Sequence, residues 1–308
     1  RKLFERDPEF GLERIRTLFP GLLKWHRWFM SHRCEDGAIA VTHPWESGRD
    51  NSPDWDVAMA NIDTRDVGEY QRRDTSHVNP EMRPKKEDYD RYLAIVYFGR
   101  DCGWDEAEIR KNGPFRVLDP GTTFILLRAC RDLAFLAERL GENDAEIAVW
   151  IETLERGVKR LWNPQTEHFD AFDLRSEGFV GSLSSSAFLC WYAGVDEPRM
   201  LPHLERVWQD VQYGVPSFDP NSPKFDALRY WRGPVWGIVN ALIGLGLEEA
   251  GLTSQAERLR RDSAAMIEQS GFAENYDSTN GNPAGGLGFT WTAAIWLAWL
   301  SQQGHKGT

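Results

Sequence analysis

Two stretches of this sequence carry side chains whose types and spacing fit acid–base chemistry, and a third could build a wall beside them. The first is His43-Pro44-Trp45-Glu46-Ser47-Gly48-Arg49-Asp50-Asn51-Ser52-Pro53-Asp54-Trp55-Asp56, in which four carboxylates and two tryptophans are crowded together. Pro44, Gly48 and Pro53 interrupt both the helical and the strand period, so the segment reads as a loop with a forced path. Gly48, two residues before Asp50, lets a backbone or a ligand approach closely. Indole faces stack on sugar rings, and a carboxyl group beside them is partly desolvated, which raises its pKa toward that of a general acid. The competing reading is a solvated acidic loop whose tryptophans plug a core. The second stretch, Gly271-Phe272-Ala273-Glu274-Asn275-Tyr276-Asp277 with the following Ser278-Thr279-Asn280-Gly281-Asn282-Pro283, joins two helical segments and is rich in turn residues. Cleaving a bond flanked on both sides takes a second carboxyl group, and this loop offers one; the rival reading is a glutamate that caps a helix end. The third stretch, Arg229-Tyr230-Trp231-Arg232-Gly233-Pro234-Val235-Trp236, opens a helical segment, with Pro234 near its first turn and the aromatics at its mouth. Core packing competes here too, most strongly for Trp236.

The first stretch resembles the acid-bearing loop of the clan that holds glycoside hydrolase family 63 and the family 37 trehalases. It is most similar to the mannosylglycerate and glucosylglycerate hydrolase branch. The resemblance implies that Asp50 is the general acid, with Trp45, Glu46, Gly48 and Asn51 around the substrate. The second stretch is similar to the family's Phe-x-Glu-x-Tyr-Asp segment, which runs on to a match at Phe289-Thr290-Trp291-Thr292-Ala293-Ala294. That similarity implies Glu274 as general base, with Tyr276 nearby. The third resembles the family's Tyr-Trp-Arg-Gly-Pro-x-Trp element and implies a sugar subsite lined by Tyr230, Trp231, Arg232, Gly233 and Trp236. His77-Val78-Asn79-Pro80 with Arg83-Pro84 also looks like this branch, and the planar guanidinium of Arg83 suits the carboxylate of a glycerate. Gly121-Thr122-Thr123 departs from the Phe-Asn that usually follows Asp119-Pro120 in the family.

Composition narrows the partners. The chain has 308 residues and a net charge of −11, which argues against nucleic acid and anionic membrane surfaces. No apolar run is long enough for a membrane span. Cys34, Cys102, Cys130 and Cys190 are widely spaced with no CxxC pair. The last three lie in apolar helical surroundings, so buried free thiols of a reducing, cytoplasmic compartment are expected. The histidines show no paired spacing, and Asp277–Asn282 lacks the ligand pattern of a calcium loop, so neither metal nor cofactor is expected. A small-molecule carbohydrate is the expected partner, and a homo-oligomer is compatible with the composition.

The elements that position these loops read as helices in pairs. Residues 9 to 33 are helical, with Pro20 restarting a second segment whose Leu22, Leu23, Trp25, Trp28 and Phe29 lie near one face. Residues 63 to 86 are polar and irregular, and helix returns at 87 to 101. Pairs follow at 119–140 with 144–162, 182–193 with 197–210, and 233–250 with 253–270, where Thr253 is placed to cap. A last helix spans about 289 to 301, and a short hairpin is expected around 168–172 and Phe179. Helix, short turn, helix, long loop is the rhythm of an all-α six-hairpin toroid, an (α/α)6 barrel with its long loops gathered at one end. About ten helices are one pair short of six pairs, and family members carry further helices before the acid loop. Residues 1–308 are therefore expected to be a single catalytic barrel truncated at its N-terminus. The function expected is an inverting α-glycosidase acting on a small glucoside or mannoside. The alternatives are an α-glucosidase or trehalase-like enzyme on di- or oligosaccharides, and a non-catalytic sugar-binding toroid that would not need both carboxylates.

Overall fold

A computed structural model describes residues 1–76 and 78–301. Twelve α-helices occur among the described residues: α1 (Lys2–Arg6), α2 (Pro8–His32), α3 (Asp56–Ala60), α4 (Lys86–Asp101), α5 (Glu106–Asn112), α6 (Pro120–Leu140), α7 (Ala145–Arg160), α8 (Cys190–Ala193), α9 (Met200–Val207), α10 (Gly237–Glu249), α11 (Thr253–Ser270) and α12 (Thr290–Ile295). The two central hairpins match their sequence signals. Asp119 caps α6 by accepting from the Gly121 and Thr122 amides, and Gly141, at φ 70°, ends it. In α7, Ile147, Trp150, Leu154 and Val158 recur every three or four residues, so one face is buried against α6. α6 itself is buried on several sides and touches α2, α7 and α8, as expected of an inner helix. α10 does the same for α8, α11 and α12. One apolar cluster runs through all of these, and a smaller one gathers around Trp55, Tyr92 and Phe115 under the acid loop.

Several expectations need correction. Pro20 does not break α2, because it lies on the exposed side, where the carbonyl left without a donor can bond water. The buried face of that helix is Gly11, Ile15, Phe19 and His26; Trp25, on the other side, is 59% exposed. Residues 182–193 are mostly not helical, since the serine run buries hydroxyls that bond neighbouring side chains and only Cys190–Ala193 completes an α turn. α10 starts at Gly237, so Pro234 lies in the approach to the helix rather than in its first turn. Thr253 is the first residue of α11 and makes no cap bond; Leu252 occupies the cap position. The final helix passes into a π-helical stretch at Trp296–Leu300. Cys102 is half-buried rather than buried, at the C-terminal end of α4.

The sheet was the least legible element. β1 (Cys34–Glu35), β2 (Ala38–Val41), β3 (Val117–Leu118), β6 (Phe172–Asp173) and β7 (Gly178–Phe179) form an antiparallel sheet in the order β1-β2-β3-β6-β7, and β4 (Trp162–Asn163) pairs with β5 (His168–Phe169). Ala40 pairs with Leu118, Leu118 with Phe172, and Phe172 with Phe179. The hairpin expected near 168–179 is thus two hairpins. Most strands are two residues long, too short for a period-2 pattern to register. Their role is placement: β2 delivers the chain into the acid loop and β3 delivers Asp119 beside it.

The β1–β2 turn packs directly on α7. A Cβ at Gly157 would fall 2.0 Å from the Gly37 carbonyl, backbone that cannot move aside. Gly157→Ala should therefore destabilise the protein by about 1–3 kcal/mol, as overpacking generally does. A lowered thermal midpoint would register this, and an unchanged one would show that the turn yields.

Candidate active site

The loop carrying Asp50 is fixed from within. A 3-10 turn at Pro44–Ser47 ends on Gly48 at φ 70°, a conformation that strains L side chains. No protein atom lies within 4 Å of the place a Cβ would take, so this glycine supplies backbone freedom and no other part of the chain packs against it. The next residue, Arg49, turns its guanidinium inward and is buried with Asp54 and Asp119. Nη1 donates to Asp54 Oδ2 at 2.5 Å and Nη2 to Asp119 Oδ1 at 2.6 Å. The Arg49 carbonyl accepts from Trp55 Nε1 at 2.6 Å, and the Asp50 carbonyl accepts from the Tyr92 hydroxyl at 2.8 Å. With both neighbouring backbone groups tied down, the half-buried Asp50 side chain is held at the rim. Burial pushes its carboxyl up to about 6, and the charges of Asp74 and Glu274 act in the same direction while Arg83 opposes them. Asp50, Asp74, Arg83 and Glu274 thus belong to one electrostatic site, although residues 50 and 274 are far apart in sequence.

Glu274 is held on the opposite stretch. Its amide donates to Gly286 O at 2.8 Å and the Gly286 amide donates to Oε2 at 3.2 Å. Arg83 closes on both oxygens, Nη1 to Oε1 at 3.1 Å and Nη2 to Oε2 at 2.7 Å. A Cβ at Gly285 would lie 2.8 Å from Oε2, so the residues that follow the turn must be small for the carboxylate to fit. Asp277, the other acidic residue of this loop, bonds Thr279 and Asn280 with its two oxygens and is committed to its own turn.

Tyr230 forms a wall of the site, close enough to feel both carboxylates. Its φ is 45°, its ring lies 4.9 Å from the Arg83 guanidinium carbon, and burial together with Asp50 and Glu274 pushes its phenol up. Behind it Trp231 and Trp236 stack in parallel at 4.0 Å, both buried, and Trp236 Nε1 donates to the Tyr230 carbonyl at 2.9 Å. The acid loop and this wall are stitched together: Asn51 Oδ1 accepts from the Trp231 amide at 3.0 Å, and Arg232 donates to the Asn51 carbonyl and, in two bonds, to Asp56.

The residues singled out from sequence fall into two groups. Asp50, Glu274, Arg83 and Tyr230 meet at one place, with Asn51 and Trp231 at its edge. Trp45 is exposed and packs on His43, Tyr92 and Tyr89. Four others serve the frame. Glu46 accepts from Arg33 and from the Thr42 amide. Arg232 holds Asp56, and Gly233 leaves room for the Asp226 carbonyl, 2.4 Å from where a Cβ would sit. Tyr276 is buried at 1% and bonds its hydroxyl to the Gly271 carbonyl and the Ala273 amide. Sequence reading missed Asp74, which pairs with Arg72 beside Tyr89, and the Gly285-Gly286 pair. That pair of glycines shortly before Phe289 was the available signal. His77 lies outside the described residues. A cleft of about 140 Å³ opens on one side of Asp50, lined also by Asp88, Tyr92 and Arg232. A larger cleft of about 360 Å³ lies beyond Trp45, but its carboxylates, Glu46 and Glu106, are both tied to Arg33.

Concentric helix hairpins with two carboxylates brought together from distant loops describe an α/α-toroid glycoside hydrolase. Residues 1–292 match the model of the mannosylglycerate hydrolase MGH1-like glycoside hydrolase domain, and the chain belongs to that family. It is 41% identical over 307 residues to a mannosylglycerate hydrolase of Thermus thermophilus, spanning 97% of this chain and 74% of that one. Mannosylglycerate hydrolase MGH1 of Selaginella moellendorffii is also 41% identical, over 97% of this chain, which spans 64% of the plant protein. The crystal structure of a family 63 mannosylglycerate hydrolase from Thermus thermophilus in complex with Tris superposes with a TM-score of 0.94 at 42% identity, covering 97% of this chain and 74% of that one.

The Arg49 cluster makes a stability prediction. Arg49→Met leaves Asp54 and Asp119 buried without their cation, a change that costs about 3–5 kcal/mol when one partner of a buried pair is removed. Urea denaturation should show a midpoint shift of that size, and a shift below about 1 kcal/mol would mean that water has replaced the guanidinium.

Proposed function

We propose that this chain is the catalytic domain of an inverting glycoside hydrolase that cleaves a small glucoside or mannoside of glycerate, glucosylglycerate or mannosylglycerate. One observation carries the reading: a half-buried carboxyl lifted to about 6 shares a site with a second carboxylate delivered by a loop far away in sequence. Asp50 in its protonated form gives its proton to the leaving glycosidic oxygen. Glu274 takes a proton from the water that attacks the anomeric carbon from the other face. Inversion needs the two carboxyl groups about 6.5–9.5 Å apart, with room for that water. Arg83 offers its planar fork to the glycerate carboxylate. Asn51 Nδ2 and Trp231 Nε1 are buried donors with no protein partner at the edge of the site. Four unpaired cysteines support the reading of a reducing compartment, and among the described residues no helix is long and apolar enough to cross a membrane.

Asp50→Asn and Glu274→Gln, near-isosteric changes, should each lower kcat on mannosylglycerate or glucosylglycerate by about 100-fold or more while leaving the thermal midpoint within a few degrees. Proton NMR of the first-formed sugar should show the anomer opposite to that of the substrate; the same anomer would rule out inversion.

The acid also sets a pH limb. Asp50 works protonated, and its value is raised from 3.8 to about 6, so the active form is lost as pH climbs through 6. For the free enzyme, kcat/KM should then fall about tenfold per pH unit on the alkaline side. Asp74→Asn removes a negative neighbour that helps Asp50 keep its proton, so the limb should move to lower pH. A limb that moved upward or stayed fixed would assign it to another group.

A further inference from the structure

The contact between Arg83 and Glu274 has a bearing on the chemistry beyond anion binding. Both oxygens of Glu274 are bonded to the guanidinium, at 3.1 and 2.7 Å, and the Gly286 amide takes a further position on Oε2. Engaged this way, Oε2 already accepts two bonds and Oε1 one, so little of the carboxylate is left to take a proton from a water. The pair is well shielded, with side-chain exposures of 12% for Arg83 and 8% for Glu274, so water does little to weaken it. Arg83 is also not fully committed. Its Nε is buried and has no protein partner, so the guanidinium keeps one donor that Glu274 does not use. Its backbone carbonyl is pinned by Arg229 Nη1 at 3.0 Å and its head packs over the Tyr230 ring, so the head can exchange partners without the loop leaving.

We infer that Arg83 is a specificity-determining residue that blocks the base in the empty site and releases it when the carboxylate of an anionic aglycone takes the guanidinium. This rests on Glu274 being the base. Selection for the acid would then act on turnover as well as on binding. A neutral glycoside of the same size would enter, leave Arg83 on Glu274, and react slowly even at saturation. The residues that hold the latch in register are Arg229, through the Arg83 carbonyl, and Gly286, through Oε2.

The test compares mannosylglycerate with mannosylglycerol, in which a hydroxymethyl group replaces the carboxylate, and adds formate as a free anion. With the wild-type enzyme, kcat on mannosylglycerol should be about 10- to 100-fold below that on mannosylglycerate, the range one charge-assisted pair provides. Formate should raise kcat on mannosylglycerol by drawing Arg83 off the base. Arg83→Gln should raise kcat on mannosylglycerol, abolish the formate effect, and raise KM for mannosylglycerate. Arg83→Lys, which keeps the charge but not the fork, should fall between the two. Equal wild-type kcat values, inhibition by formate without activation, or an Arg83→Gln variant that lowers kcat on both substrates alike would overturn the latch while leaving the glycosidase reading in place. Hydrolysis of neither substrate would overturn the glycosidase reading and the latch with it. The formate arm uses the unaltered enzyme, so the outcome does not depend on how the variants fold.

Discussion

The site depends on one buried cation. Arg49 brings its guanidinium into the protein between Asp54 and Asp119, and the three residues are all at or below 6% exposure. Asp119 is at the same time the N-cap of α6, the inner helix that touches α2, α7 and α8. The loop that carries Asp50 is therefore tied to α6 through the side chain of the residue next to it. Desolvating three charges is expensive, and a cluster of this kind is a poor source of net stability. Its value here is geometric: two carboxylates and a rigid fork allow few other arrangements of a loop containing two prolines and a glycine.

The same logic recurs at each level of the site. Side chains near Asp50 and Glu274 are mostly used to hold backbone. Tyr92 bonds the Asp50 carbonyl, Trp55 the Arg49 carbonyl, Arg232 the Asn51 carbonyl and Arg229 the Arg83 carbonyl. Loops without regular structure have backbone groups that helices and sheets would have satisfied, and these aromatic and arginine donors satisfy them instead. A high count of tryptophan and arginine around the site is then a requirement of building it from irregular chain.

How much of this was legible follows from what kind of signal each part leaves. The α6–α7 and α10–α11 hairpins were readable because Gly141 and Gly251 end their first helices and the apolar period is sustained over many turns. The acid loop, the base loop and the Tyr230 wall were readable as motifs, and Asp50, Glu274, Arg83 and Tyr230 do meet in one electrostatic site. Division of labour within a motif was not readable. Asp50 and Asp54 share one loop and the resemblance singled out Asp50, but that Asp54 is consumed by Arg49 is decided only by the fold. Tyr276 and Glu46 sit inside matched motifs but are consumed by local bonds. The five-stranded sheet left no trace because two-residue strands have no period, and Pro20 misled because a proline on a wet helix face costs less than one facing the core.

Tyr230 adopts φ 45°, a conformation that costs a residue with a Cβ on the order of 1 kcal/mol and glycine nearly nothing. The strain persists because Trp236 Nε1 grips its carbonyl and Asn51 grips the amide that follows. Glycine here would relax the backbone and delete the ring that lies against Arg83. Thermostability and the integrity of the site therefore pull this position in opposite directions, and a search for more robust variants would be drawn to a substitution that removes the ring beside Arg83.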